Sequence, residues 1–428
     1  MRRVAWVLAG AMAATGCVAG DQQRPELEGD GSAAGPDSRQ RVTMQFVTDG
    51  PAVAGLTVFF QDERGQLVLE TRTDADGKAN ARMESGGYAT LVLQNGQIFT
   101  YAGIEGGETY VVDGRSSVTG AAAQISLMAP PNDAGNAYVL STGCGETVLD
   151  PIIEGMPVKA TLYGCYGLTD ALITSRNTQP APFGSNWRYL YQPNVVIDPL
   201  TPMVMDGEWR DMVEAHVNLA AMPRNATKVV TSQWLARDQR TVTDPRYAQT
   251  DLTDSGDAVA RLQRSYVPEG ATTVTRVQPV VMGPSMQSTL AWGPSAEEID
   301  LNLGAVNLSQ YTSLPTLDTA AHRIEWTETN GAHAQLQYAA ITWSDADRGA
   351  MTWNILTPRG AEAGMTLPQL PGRELQPPTT AKVVELAAIG LSQDSTARTT
   401  LLGQWPGNDS RFVDIDVGRV DIVQLNPN

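Results

Sequence analysis

Thiols, imidazoles, clustered carboxylates and indoles are the side chains here that could carry chemistry. The chain has three cysteines (Cys17, Cys144, Cys165) and three histidines (His216, His322, His333). A Ser-His-Asp triad could in principle be built on one of the histidines. No motif points to its serine: Gly-x-Ser-x-Gly and His-Glu-x-x-His are missing, as are a phosphate loop and a dinucleotide fingerprint. His333 follows the hairpin-type pair Asn330-Gly331 and reads as a solvated turn residue. Asp74-x-Asp76-Gly77 and Asp345-x-Asp347 could open calcium loops. Calcium takes about six to eight oxygens, and the further carboxylates do not follow at the required spacing. Asp and Gly are also what tight turns demand, so turns are expected at both places. Asp251, Asp254 and Asp257 are spaced as a solvated loop. No metal or cofactor is expected.

Indoles are the best binding candidates. The C-terminal third carries Trp292, Trp326, Trp343, Trp353 and Trp405. Trp326, Trp343 and Trp353 are the residues on which a sugar or an apolar groove could stack. On the strand of a sandwich, the same ring serves core or cross-strand packing.

The elements that must position these groups read as β throughout. Val42, Met44 and Phe46 alternate with polar partners, and Leu56, Val58 and Phe60 repeat the pattern. Arg64-Gly65, Asp74–Gly77 and Gly86-Gly87 punctuate the strands. Further strands are expected at Gln124–Leu127, Ala137–Ser141, Val158–Tyr163 and Tyr189–Ile197. Others are expected at Gln335–Trp343, Met351–Leu356, Lys382–Leu391, Phe412–Val417 and Val420–Leu425. Trp209–Ala221 fits strand and helix periods alike, and its surroundings favour strand. Met222–Val229 echoes in Val267–Val274, each a Pro-led turn before a β-branched run, which suggests duplicated units. The expected fold is all-β, as tandem antiparallel β-sandwich domains. Their expected bounds are 41–114, a β-rich region over 115–285 with room for two units, and 286–428.

The run from Gly55 through Asp74-Ala75-Asp76-Gly77 to Gly86-Gly87-Tyr88-Ala89 resembles carboxypeptidase regulatory-like and related bacterial immunoglobulin-like domains. The resemblance covers under a fifth of the chain, about residues 41–114. It implies a folded spacer or adhesive module with no catalytic residues of its own.

The N-terminus addresses the protein. Arg2-Arg3 precedes an apolar run, Val4–Ala14, which has the length of a secretory signal core and is too short to span a bilayer. Ala14-Thr15-Gly16-Cys17 resembles the lipobox of bacterial lipoproteins, differing at Ala14, where that family usually has leucine. The resemblance implies a signal peptide over 1–16 and acyl chains on Cys17 as the new N-terminus. Several chains would make membrane attachment stable. Val18 in place of Asp leans towards the outer membrane, with a periplasmic or surface face. Residues 17–40 are polar and rich in Gly, Pro, Ser and Asp, the composition of a flexible tether.

If Cys17 is acylated, Cys144 and Cys165 are left as a pair in an oxidising compartment, where such pairs most often bridge. A loop of about twenty residues closed this way stabilises by roughly 3 kcal/mol. A metal site is the alternative, and it lacks a CxxC spacing and a neighbouring histidine.

Composition sets further bounds. Charged residues make up 18% and the formal net charge is −17, which repels phosphate backbones and excludes nucleic acid as a partner class. Three functional readings remain: a structural or adhesive envelope lipoprotein, a glycan-binding lipoprotein using exposed tryptophan, and a secreted hydrolase with its site within 115–428. The partners expected are the membrane, through the Cys17 lipid, and envelope proteins or glycans. A hydrolase of the carboxylate-pair glycosidase type needs no histidine and would show two acidic residues facing one cleft about 5–9 Å apart.

Overall fold

Strand periods in the sequence become strands in the structure. The computed structural model describes residues 39–47, 52–114, 122–132, 136–142, 145–163, 167–177, 188–198, 200–222, 226–237, 240–251, 257–264, 272–281, 285–294, 298–303, 308–329, 334–360, 363–372, 375–391, 399 and 419–425. All lie within the unit Arg39–Asn428.

In chain order the first strands are β1 (Gln40–Val47), β2 (Thr57–Gln61), β3 (Leu67–Arg72), β4 (Lys78–Met83), β5 (Tyr88–Val92), β6 (Gln97–Ala102) and β7 (Thr109–Asp113). Then come β8 (Ala122–Met128), β9 (Asn136–Thr142), β10 (Gly145–Leu149), β11 (Val158–Tyr163), β12 (Gly167–Asn177), β13 (Arg188–Ile197), β14 (Met203–Val204) and β15 (Arg210–Asp211). The next are β16 (Val213–Ala220), β17 (Ala226–Arg237), β18 (Arg240–Asp251), β19 (Ala258–Arg264), β20 (Thr272–Val281), β21 (Ser285–Pro294) and β22 (Glu298–Asn302). The last are β23 (Thr316–Asp318), β24 (Arg323–Glu325), β25 (Leu336–Asp345), β26 (Gly349–Pro358), β27 (Gly364–Thr366), β28 (Lys382–Leu391) and β29 (Arg419–Leu425). The protein is all-β, built of tandem sandwiches.

Local chemistry explains individual elements. In β1, Val42, Met44 and Phe46 point inwards. On its outer face Arg41 Nε and Thr43 Oγ1 both donate to Asn80 Oδ1 on the neighbouring β4, at 3.0 and 2.7 Å. The ambiguous stretch before Ala221 is strand: β16 pairs with β19 and β22, burying Ala215, Val217 and Leu219 on one face. Between β3 and β4, Asp74 Oδ1 accepts the N–H groups of Asp76 and Lys78, each at 2.9 Å. Gly77 closes that turn at φ 72°, where a Cβ would stand 2.6 Å from the Phe46 carbonyl oxygen.

Among the described residues, four large apolar cores and a small one around Leu172 and Tyr189 hold the sheets together. The sheet β10-β9-β12-β13-β15 and the sheet β11-β8-β14 close on one core that includes Leu127, Leu140, Leu162, Ile173 and Leu190. The sheet β19-β16-β22 packs Val217, Leu219 and Leu262 against Val229 of β17 and Val277 of β20. The remaining large cores lie on opposite faces of a 12-stranded sheet, ordered β18-β17-β20-β21-β29-β28-β25-β26-β6-β5-β2-β3. On one face the β4-β1-β7 sheet covers Val58, Phe60, Leu336 and Tyr338. On the other, Phe59, Ala339, Ile341 and Trp353 pack with Tyr311, Ile324, Trp326, Met365 and Leu370, which belong to β24, β27 and the loops around them.

The large sheet therefore draws on both halves of the chain. β6 lies parallel to β26, with Ile98 opposite Trp353 and Thr100 opposite Ile355. Among the described residues, the other pairings within this sheet are antiparallel. A central strand buried on both faces cannot show clean alternation: β25 has Leu336 through Ile341 buried without a break. The two echoing Pro-led segments lead into β17 and β20, which are antiparallel neighbours in this sheet.

Candidate functional site

Polar groups of the C-terminal strands gather within the second core. Glu328 forms an isolated bridge with Tyr311, and Arg359 follows β26. Arg359 Nη2 pairs with Glu328 Oε2, with their side chains 2% and 13% exposed. The Trp326 indole N–H donates to the same carboxylate oxygen at 3.2 Å. Gln337 of β25 donates through Nε2 to Tyr311 Oη at 2.7 Å and to Ala387 O at 2.9 Å. The Tyr311 and Trp326 rings meet edge to face, centroids 6.1 Å apart. Burial raises the Tyr311 phenol well above its ordinary value, with Gln337 and Arg359 pulling it back and Glu328 adding to the rise.

This cluster has the character of a structural network. Its acid is already paired to its base, and its phenol is held protonated. Arg359 Nε and Nη1 and Gln337 Oε1 have no partner among the described residues. Taking two charges out of water offsets much of their mutual attraction, so such a pair is weak evidence of net stability, while removing one partner strands the other. The sequence reading missed Glu328, Arg359, Tyr311 and Gln337. The only signal they carry is a charge or amide set within an apolar stretch.

Trp326, Trp343 and Trp353, the candidates for ligand stacking, are instead core residues, 5%, 6% and 0% exposed. The reason is the layer over the second face of the sheet, which covers the side of β25 and β26 that a single sandwich would leave wet. Trp353 Nε1 donates to Thr100 Oγ1 at 2.8 Å, tying β26 to β6. Trp292 is half-buried.

The other candidates are dispersed. His216 Nε2 sits 2.7 Å from Glu214 Oε1 on the exposed surface of β16. His322 has a positive φ of 50° and lies in the turn between β23 and β24. Asp345 Oδ1 accepts the N–H groups of Asp347 and Arg348 at 3.0 and 2.9 Å, so it builds the β25–β26 turn. Among the described residues no three metal-ligating side chains come together. Cys17, Cys144, Cys165, His333, Asp254, Asn330-Gly331, Trp405 and the run Phe412–Val417 lie outside the described residues, as do the signal peptide and nearly all of the tether.

Clefts lie around β22. One of about 590 Å³ is lined by a single sheet, β19-β16-β22, with Leu219, Val259 and Leu301 beside Asn218, Asp257 and Asp300. Its carboxylates are exposed and engaged: Asp300 Oδ1 accepts from Asn218 Nδ2 at 2.7 Å, and Asp257 Oδ1 from the Ala221 N–H at 3.3 Å. A neighbouring cleft of about 460 Å³ is lined by Trp292, Glu298, Asp300, Asn302 and Arg419.

No family model matches the chain, and no curated protein matches it. Solved structures match at low similarity. The Bacillus anthracis TIE protein is 11% identical over 62% of this chain, with a TM-score of 0.16, and the chain covers half of its length. The major pilin subunit of Bacillus cereus is 13% identical over 62% of this chain and 99% of its own, TM-score 0.16. The fimbrial anchor protein Mfa2 of Porphyromonas gingivalis is 14% identical over 56% and 78%, TM-score 0.13. At TM-scores of this size the likenesses bear on neither mechanism nor partner.

Proposed function

We propose that the protein is a structural or adhesive module of the bacterial cell envelope, exported and held to the outer membrane by acyl chains on Cys17. The observation that carries this reading is how the chemistry-bearing side chains are used. Trp326 and Trp353 pack cores, Arg359 and Glu328 brace one from within, and Asp74 and Asp345 shape turns. The central strands of the long sheet are covered on both faces, as suits a structural module. The lipobox-like Ala14–Cys17 and the tether-like composition of 17–40 support the anchor, and Cys144–Cys165 pairing fits the oxidising compartment this implies.

Metabolic labelling with radioactive palmitate tests the anchor. The wild type should take up label and fractionate with membranes, and Cys17→Ser should do neither. An unlabelled wild type, or one recovered in the cytosol, would overturn the reading.

A glycan-binding variant of this role is favoured by one observation. Trp292 lines the 460 Å³ cleft beside Glu298, Asp300, Asn302 and Arg419, an indole among the carboxylates and amides that bind sugar hydroxyls. A glycan array probed with wild type and Trp292→Ala should separate the two. Binding lost in the variant supports it, and an array silent for the wild type removes it.

A further inference from the structure

The large sheet ends differently on its two sides. At one end β18 lies against β9, β12 and β19. Its pairing with β17 is interrupted between Val242 and Arg246, the interval that holds Pro245. A bulge with proline and a covering layer are the usual ways to blunt an edge. At the other end β3 is hydrogen-bonded to β2 and, among the described residues, to no other strand. Leu67, Val68 and Leu69 are 50%, 47% and 37% exposed, and Glu70 and Arg72 are exposed beside them. The one irregularity in β3 falls at Val68, which leaves Leu69–Arg72 in regular register with Thr57–Phe60.

The outward backbone groups can be assigned from Thr73. Its N–H donates to Leu56 O at 2.9 Å, and its carbonyl accepts from the Gly55 N–H at 2.8 Å. Both groups therefore point towards β2. Alternation along an antiparallel strand then turns those of Glu70 and Arg72 away from β2, towards the open side. Their side chains share one face, with opposite charges two positions apart.

We propose that β3 is a pairing edge for a second copy of this chain, joined antiparallel about a two-fold axis through Thr71. In this register Glu70 of each copy lies opposite Arg72 of the other, and the same residues exchange backbone hydrogen bonds. Moving the axis to Glu70 opposes two carboxylates. Moving it to Arg72 opposes two guanidinium groups. An axis at Leu69 sets Glu70 against Val68 and forfeits both ion pairs. Charge thus selects one register out of those the backbone allows. A seam of two six-residue strands buries less than the roughly 1,200 Å² of a stable interface, so the pairing is weak and concentration-dependent. This inference stands whether or not the chain is lipid-anchored.

Sedimentation velocity over a concentration series of the chain tests it. The wild type should show a mass that rises towards that of a dimer. Glu70→Arg and Arg72→Glu should each weaken association by about tenfold or more. The double swap Glu70→Arg/Arg72→Glu should return to within about threefold of the wild type, because the charges are exchanged and remain complementary. An equimolar mixture of the two single variants should associate, which misfolded variants would not do. Glu70→Pro removes an outward N–H without touching a bond to β2 and should also abolish pairing. A wild type that stays monomeric at millimolar concentration would overturn the proposal. So would single variants that associate as the wild type does, or a double swap that fails to recover.

Discussion

β25 and β3 belong to one sheet and use the same backbone bonds, yet they stand in opposite environments. β25 is buried on both faces from Leu336 to Ile341, while β3 is exposed at five of its six residues. Both begin with apolar side chains, so hydrophobicity does not separate them. Position in the sheet does. A central strand gains a packing layer on each face and a bonded neighbour on each side. The end strand has one bonded neighbour, and its apolar groups stay in water. Apolar residues at an uncovered edge contribute little to this fold, which makes them available to a partner.

The difference can be broken first where it is strongest. Trp353→Ala should cost about 3–5 kcal/mol in denaturant unfolding, because a fully buried indole is lost together with its bond to Thr100. Breaking the buried pair with Arg359→Ala should cost a similar amount, about 3–5 kcal/mol, by stranding the Glu328 carboxylate. Replacing both partners, as Arg359→Met with Glu328→Leu, should recover most of that loss. A double variant as unstable as the single would show the pair to be a net stabiliser.

Tyrosine titration gives a smaller and pH-dependent effect. Burial raises the phenols of Tyr311 and Tyr338 above their ordinary value. The folded state therefore keeps protons that the unfolded chain gives up near pH 10, so their contribution is fully present below that pH and is lost as pH rises further. Tyr311→Phe should cost about 1 kcal/mol at neutral pH and make the alkaline loss of stability shallower. Smallest of all, Leu67→Ser and Leu69→Ser should each change monomer stability by less than about 0.5 kcal/mol. A cost of 2 kcal/mol or more would mean that β3 is covered.

Strand positions were legible where the pattern is local. The run Val158–Tyr163 is β11 and Lys382–Leu391 is β28, with matching bounds. The Asp-led turns were legible too, since Asp74 and Asp345 cap the backbone within four residues of themselves. Pairing between distant strands was not. Trp353 and Thr100 are 253 residues apart, and nothing local in either strand names the other. Burial on both faces was also hidden: Phe59 and Phe60 are adjacent and both buried, which alternation alone reads as one inside and one outside. The Arg359–Glu328 pair escaped because an isolated charge after a strand looks the same whether it faces water or a core.

Amide hydrogen exchange, at protein concentrations too low for association, tests most directly whether β3 is an open edge beside a doubly covered centre. The account predicts slow exchange throughout Leu336–Ile341, with Glu70 and Arg72 exchanging quickly while Thr71, bonded towards β2, is slower. Glu70 and Arg72 as protected as β25 in a monomer, or rapid exchange across β25, would contradict it.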